Sequence, residues 1–275
     1  MVRTRKPEAP TADLQATLSP GAEVDSLRRG LEILRLFDAR HRALQVTDIA
    51  AKIGLSRVTA SKLIATLEAH NFLRASAQAE GYEPHVACLT LGRAVRRGLV
   101  IAEIARPKMH VLSERFDVHV CLTTRDRLHM LVVEHCVPAG KVRLGLSTGT
   151  HLPITTSASG RAYLWAQPAA LRSKLMESLE EAEKDHSFKM MSSVYAAFQE
   201  LEERGWCFLA SPVTSQTSSI ATPIRVDDEA NFVLAVMAIG DSEMEPRLRD
   251  VIAPELLMVA SQISQELQVE GYEGF

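Results

Sequence analysis

Between Thr47 and Leu73 the chain reads TDIAAKIGLSRVTASKLIATLEAHNFL, and apolar positions recur there at helical spacing twice. Ile49, Ala50 and Ile53 share one face of a short helix that Thr47 can cap, and Gly54 supplies the left-handed residue that ends it. After a tight turn Ser56 caps a second helix, in which Ala60, Leu63, Ile64 and Leu67 follow the spacing of a buried stripe. Its other face presents Arg57, Val58, Ser61, Lys62 and Ala65, with Thr59 in the same first turn. Two short helices joined through a glycine, the second with short polar and basic residues outward, predict a helix-turn-helix that enters the major groove of DNA. An ordinary helical hairpin with a solvated face is the competing reading.

The flanking pattern extends this unit. Leu27, Leu31, Leu34 and Phe37 make one stripe of a helix starting at Asp25, which is expected to pack under the other two. Asn71, Phe72 and Leu73 lead into a strand, small and polar residues from Ala75 to Gly81 turn the chain, and Tyr82 starts a return strand. A two-stranded ribbon directly after a recognition helix is a wing, where Arg74 is placed to meet backbone phosphate.

Further on, Leu91 to Ala105 predicts a linker helix with Leu91, Val95, Leu99 and Ala102 along one side, and Pro107 suits the first turn of the next helix. His119 to Thr124 and Leu128 to His135 predict a hairpin. Helices are expected over 156–166, 168–183 and 192–204, and strands over 206–210, 220–226 and 232–240. A closing helix carries Leu256, Val259, Ile263 and Leu267. Strands in hairpins flanked by helices make this second domain α+β with an antiparallel sheet.

Length and charge divide the chain in the same place. Its 275 residues favour two domains. Residues 1–100 carry a net charge of +5 and the remainder −8, which suits phosphate contact by the first part alone. The expected boundaries are a disordered tail over 1–22, rich in Pro and Ala, a DNA-binding domain over 23–90, a linker helix over 91–106, and an effector-binding and oligomerisation domain over 107–270. Cys88, Cys121, Cys136 and Cys207 show no CxxC spacing, and there is no signal peptide or long apolar run. The expectation is a reduced, cytoplasmic protein with no membrane partner.

Together SLRRGLEILRLF from Ser26, the stretch from Thr47, LTLGRA from Leu89, LPITTSASGRAYLWA from Leu152, LEERGW from Leu201 and IATPI from Ile220 resemble, in order and spacing, the isocitrate lyase regulator (IclR) family of bacterial transcriptional regulators. The resemblance implies a winged helix joined to a GAF-like effector domain. It also implies a homo-dimer or homo-tetramer on palindromic, double-stranded promoter DNA, and a small-molecule effector. The family's pocket is walled by the start of the helix that here carries Thr156, Ser157 and Ser159.

This chain departs from the family at the positions that bind small carboxylic acids. Leu209, Ala210, Ser211 and Pro212 replace an acidic run, Gln216 stands at a Gly, Ser219 at a Cys, and Met237 and Ile239 at two Ser. Met237 and Ile239 cannot satisfy a buried carboxylate, so an effector with an apolar or aromatic body and one hydrogen-bonding end fits better. Three alternatives stay open: a closed pocket with ligand-independent regulation, Ser and Thr residues that merely cap a helix, and a winged helix that binds only protein.

Other chemistry finds little support. His119, Cys121, His129, His135 and Cys136 crowd the predicted hairpin without zinc-ligand spacing, so no metal is expected. Ser157, Ser159 and Lys174 lack a nucleophile elbow, and no phosphate-binding glycine loop is present. Neither enzymatic activity nor a cofactor is expected.

Overall fold

The computed structural model describes residues 23–38, 41–140, 146–182, 187–210, 217–226, 229–240 and 243–271. The tail expected over 1–22 and residues Ser211, Pro212 and Gln216 lie outside them. The chain separates into two compact units that meet in sequence between Leu99 and Val100.

In the first unit α1 (Asp25–Arg35), α2 (Val46–Lys52) and α3 (Arg57–Ala69) are followed by a ribbon of β1 (Leu73–Ala75) and β2 (Tyr82–Pro84), then α4 (Cys88–Gly98). Ile33, Leu44, Ile49, Ile64 and Leu73 form the core, with Leu34, Phe37, Leu63 and Leu67 packed around it. Gly54 has φ +66° at the end of α2, as its place between the helices demands. Leu44 and Tyr82 exchange two 2.9 Å backbone hydrogen bonds, which tie the wing to the start of α2. Gly81 lies in this junction at φ +119°, where an added Cβ would stand 2.3 Å from Leu44 O.

Three expectations need correction here. The exchange at Leu44 leaves Gln45 extended and starts the helix at Val46, so Thr47 is a half-buried helical residue and not a cap. On α1 the core takes Ile33, while Leu27 and Leu31 are 62% and 53% exposed; the first turns of α1 are held instead by Arg28, which pairs with Asp25 and Glu32. The linker helix is not continuous. Helix α4 stops at Gly98, Leu99 is non-helical, and α5 (Val100–Phe116) runs on with Pro107 inside it. Of the stripe predicted there, Leu99 and Ala102 are buried, and Leu91 and Val95 are exposed.

The second unit is built on a sheet of β3 (His119–Asp126), β4 (His129–Cys136), β5 (His151–Pro153), β6 (Cys207–Ala210), β7 (Thr217–Val226) and β8 (Glu229–Ile239). Among the described residues the order is β5-β4-β3-β8-β7-β6, every pairing antiparallel. Alternate residues face opposite sides. Cys207, Ala221, Val233, Ala235 and Met130 meet α6 (Ala158–Ala166), α7 (Ala169–Ala182) and α8 (Ser187–Arg204). Ile220, Leu234, Val236 and Leu122 face the other way, where α5 and α10 (Ala253–Val269) bury Leu112, Phe116, Leu256, Val259 and Ile263. The Lys108–Glu266 and Arg115–Glu255 pairs, at 2.7 and 3.0 Å, join these two helices. Between β8 and α10 come α9 (Met244–Arg247) and a π-helical turn, Leu248–Ile252. Mixed α and β structure with segregated antiparallel strands is the α+β class expected.

Candidate DNA-binding face and effector site

Helix α3 is capped as its sequence predicts. Ser56 Oγ accepts from the Thr59 amide at 3.2 Å and lies 2.9 Å from Thr59 Oγ1, so the Thr59 hydroxyl takes part in the cap. With Ala60 and Ile64 buried, Arg57, Val58, Ser61, Lys62 and Ala65 are left outward, Val58 67% exposed. No bulky acidic group stands among these five, and the first turn of α3 offers its amide end as well as Arg57 to an anion.

Arg74 is exposed on the wing but is not a solitary charge. Its guanidinium meets Glu83 across the ribbon at 2.7 Å, and Ser76 donates to the same carboxylate at 2.9 Å. The Ser76 hydroxyl first, and Arg74 after it, hold the Glu83 carboxyl below the usual carboxylate range. Any anion that Arg74 meets has to share its guanidinium with this pairing.

In the second unit the predicted effector residues fall into two groups. Ser157 caps α6, accepting from the Gly160 amide at 3.1 Å and donating to Pro153 O at 2.7 Å. The fold thus takes the one hydrogen its hydroxyl can donate. Ser159 is buried, and Thr156 is exposed. The second group lies on the strands. Ser219 pairs in register with Met237 on one side and Leu209 on the other, and its hydroxyl donates to Leu209 O at 3.3 Å. Ile239 ends β8 opposite Thr217 and is 48% exposed. Cys207 Sγ, 3.5 Å from Ala158 O, sets the start of α6 over the neighbouring row of the sheet, one residue pair from Ser219.

Sequence reasoning treated His119 and His135 only as candidate metal ligands. The strands bring the two together, and they place His119 in register with Met237. Alternation could have shown that His119 and Cys121 share a face; the register that adds His135 and Met237 is set by tertiary pairing and has no local signal. Among the described residues no group of three or more His, Cys, Asp or Glu could hold a metal ion. Burial pushes the Cys121 and Cys207 thiols up to about 12, which keeps both protonated.

A winged helix followed by an α+β domain with helices on both faces of its sheet is the architecture of a DNA-binding protein with a separate sensing domain. Residues 26–77 match the IclR helix-turn-helix domain, and residues 94–265 match the bacterial transcriptional regulator IclR C-terminal domain. The chain belongs to the IclR family of transcriptional regulators, proteins that act on DNA and are not enzymes. It is 29% identical over 249 residues to the HTH-type transcriptional regulator TsaQ1/TsaQ2 of Comamonas testosteroni, covering 89% of each chain. A solved IclR family regulator from Brucella abortus superposes with TM-score 0.82 at 29% identity, over 92% of this chain and 97% of that one. An IclR homologue from Microbacterium hydrocarbonoxydans, solved with 4-hydroxybenzoate, shares the fold with TM-score 0.70 at 17% identity, over 89% and 99%. Among the described residues no helix is long and apolar enough to cross a membrane.

The outward face of α3 makes separable predictions for its two cations. Lys62→Ala is expected to weaken binding on all sequences and to lower the salt slope by about one unit, whereas Arg57→Ala relaxes base preference at a cost of about 1 to 3 kcal/mol. Fluorescence anisotropy against operator and scrambled duplexes, over a salt series, reads both effects. Parental behaviour of both variants would show that α3 is not the reading helix.

Proposed function

We propose that the chain regulates transcription in the cytoplasm as a homo-dimer or homo-tetramer on palindromic promoter DNA, read through α3. A small molecule held beside Ser219 and Met237 adjusts that binding, and no cofactor takes part. The outward face of α3 carries the proposal: five exposed positions, short or basic, on a helix whose cap and buried stripe are already satisfied. Thr47 on α2 and Ser56, Thr59 and Arg74 flank this face as supporting contacts, Arg74 while still paired with Glu83.

Two observations support assembly. One winged helix offers too little contact for useful specificity in a genome, and the first unit leaves Leu27, Leu31, Leu91 and Val95 exposed on α1 and α4. A second copy covers such residues and sets two recognition helices on half-sites about 34 Å apart, or a multiple of that. Light scattering is expected to give a dimer or tetramer; a stable monomer at micromolar concentration contradicts this.

For the effector, Ser219 supplies a hydroxyl while Met237 and Ile239 supply apolar surface. Thr156 is the accessible member of the α6 wall, because the fold uses Ser157 and buries Ser159. An aromatic or aliphatic body with one hydrogen-bonding end suits this lining, and the 4-hydroxybenzoate held by the Microbacterium homologue is a molecule of that kind. Thermal-shift measurements with aromatic acids, acyl compounds and small keto acids test this. Stabilisation by the bulkier compounds is expected; stabilisation by glyoxylate or pyruvate alone would overturn the choice of class.

A further inference from the structure

Helix α4 is tied into the DNA-binding unit at its start. Phe72, whose amide donates to Leu67 O in the last turn of α3 at 2.8 Å, accepts at its carbonyl from His85 N at 3.0 Å and from Cys88 Sγ at 3.3 Å. Beyond that anchor Leu89 to Gly98 are all exposed, so both sides of the helix need an account. Leu91 and Val95, 57% and 61% exposed, stand one turn apart on the side that the second copy proposed above covers. Arg93, Arg96 and Arg97, at i, i+3 and i+4, share the opposite side.

These three arginines have no counter-charge of their own. Between Glu83 and Glu103 the chain holds no acidic residue, so no opposite-charge pair can form along α4. Among the described residues none of the three takes part in an ion pair or a hydrogen bond. Other cations of the unit are matched: Arg28 and Arg29 by Asp25 and Glu32 on α1, and Arg74 on the wing by Glu83. Arg57 and Lys62, on the face assigned to DNA, lack such partners as the α4 arginines do. Arg96 and Arg97 stand in the last turn, where the carbonyl end of the helix favours a cation, but Arg93 lies a turn further in and repels Arg97.

We propose that Arg93, Arg96 and Arg97 form a second DNA contact, holding backbone phosphates without reading bases, while the apolar side of α4 joins the two copies. The proposal rests on the reading of α3 as the helix in the groove and adds to it a contact that is independent of sequence. A guanidinium fits a phosphate bidentately, and three on one side of a helix suit a polyanion. A second copy is the poorer occupant of this side, because the carboxylates its α1 would bring are already paired. An anionic membrane is poorer too: eleven residues make a helix about 16 Å long, with two large residues on its apolar side.

Anisotropy of the intact protein on a long random-sequence duplex, over a salt series, tests this. Arg93→Gln, Arg96→Gln and Arg97→Gln combined should lower the slope of log Kd against log salt by about 2 to 3 per protomer, with at least about tenfold weaker binding near physiological salt. The three Lys replacements should keep most of the slope, and light scattering should give the parental assembly for both variants. On the unaltered protein, bound duplex should protect the three arginines from phenylglyoxal, as read by mass spectrometry of the peptides; this holds even if the Gln variant fails to fold. Equal modification with and without duplex would overturn the proposal. A changed assembly would place the arginines between copies and overturn it as well. A parental slope in the Gln variant, with capture by vesicles of anionic lipid, would overturn it in favour of a membrane. If Lys62→Ala lowers the slope and the Gln variant does not, the proposal falls and the reading of α3 stands. If no duplex is retained at low salt, both fall.

Discussion

The sensing unit depends on how closely α6 approaches the segment that leads into it. A Cβ on Gly160 would lie 2.1 Å from Ile154 O and 2.3 Å from its Cα, so only glycine permits the contact. Small residues sit in the core beside this helix, Ala158 and Ala162 on α6 and Cys207, Ala221 and Ala235 on the strands, with Tyr163, Leu164, Met130 and Val233 filling the rest. Arg161, the next residue, buries its guanidinium to hold Thr155 O at 2.9 Å and Ser193 O at 3.2 Å, fixing the same turn and tying it to α8. Burial penalises the charged form and lowers its pKa. The result is a tightly filled row, beside which Leu209, Ser219 and Met237 are half-buried.

The DNA-binding unit divides its labour in a comparable way. Ile33, Leu44, Ile49, Ile64 and Leu73 hold the fold together, the Leu44–Tyr82 exchange fixes the wing, and Ser56 closes the start of α3. The outward side chains of α3 are spared from structural duty. The Arg74–Glu83 pair is solvent-exposed, so it contributes little to stability; its effect is to moderate the positive charge that the wing presents.

Much of this was legible from local signals. The buried stripe of α3, its Ser56 cap, the left-handed Gly54 and the hairpin around Arg127 each follow from residues within a few positions of one another. What escaped was decided by distant partners. Thr47 resembled a cap because nothing nearby reveals that Tyr82 pins Leu44 and starts α2 earlier. Leu27 and Leu31 have the spacing of a core stripe, yet the core lies under the end of α1. Pro107 suggested a helix start, whereas the helix breaks at Leu99 and carries the proline in its interior. The Ser157 cap was readable from the chain and Ser219 became a candidate through the family resemblance, whereas the register that sets Ser219 between Met237 and Leu209 is decided by tertiary pairing and has no local signal.

The central claim is that a small molecule in the second unit changes how the first unit holds DNA. Anisotropy titration of the intact protein on a labelled duplex carrying its operator, with and without a saturating compound that raises its melting temperature, tests this directly. The account predicts specific binding whose Kd shifts by about fivefold or more when the compound is present, the scale of an allosteric coupling of at least 1 kcal/mol. Specific DNA binding that stays unchanged at saturation would contradict it.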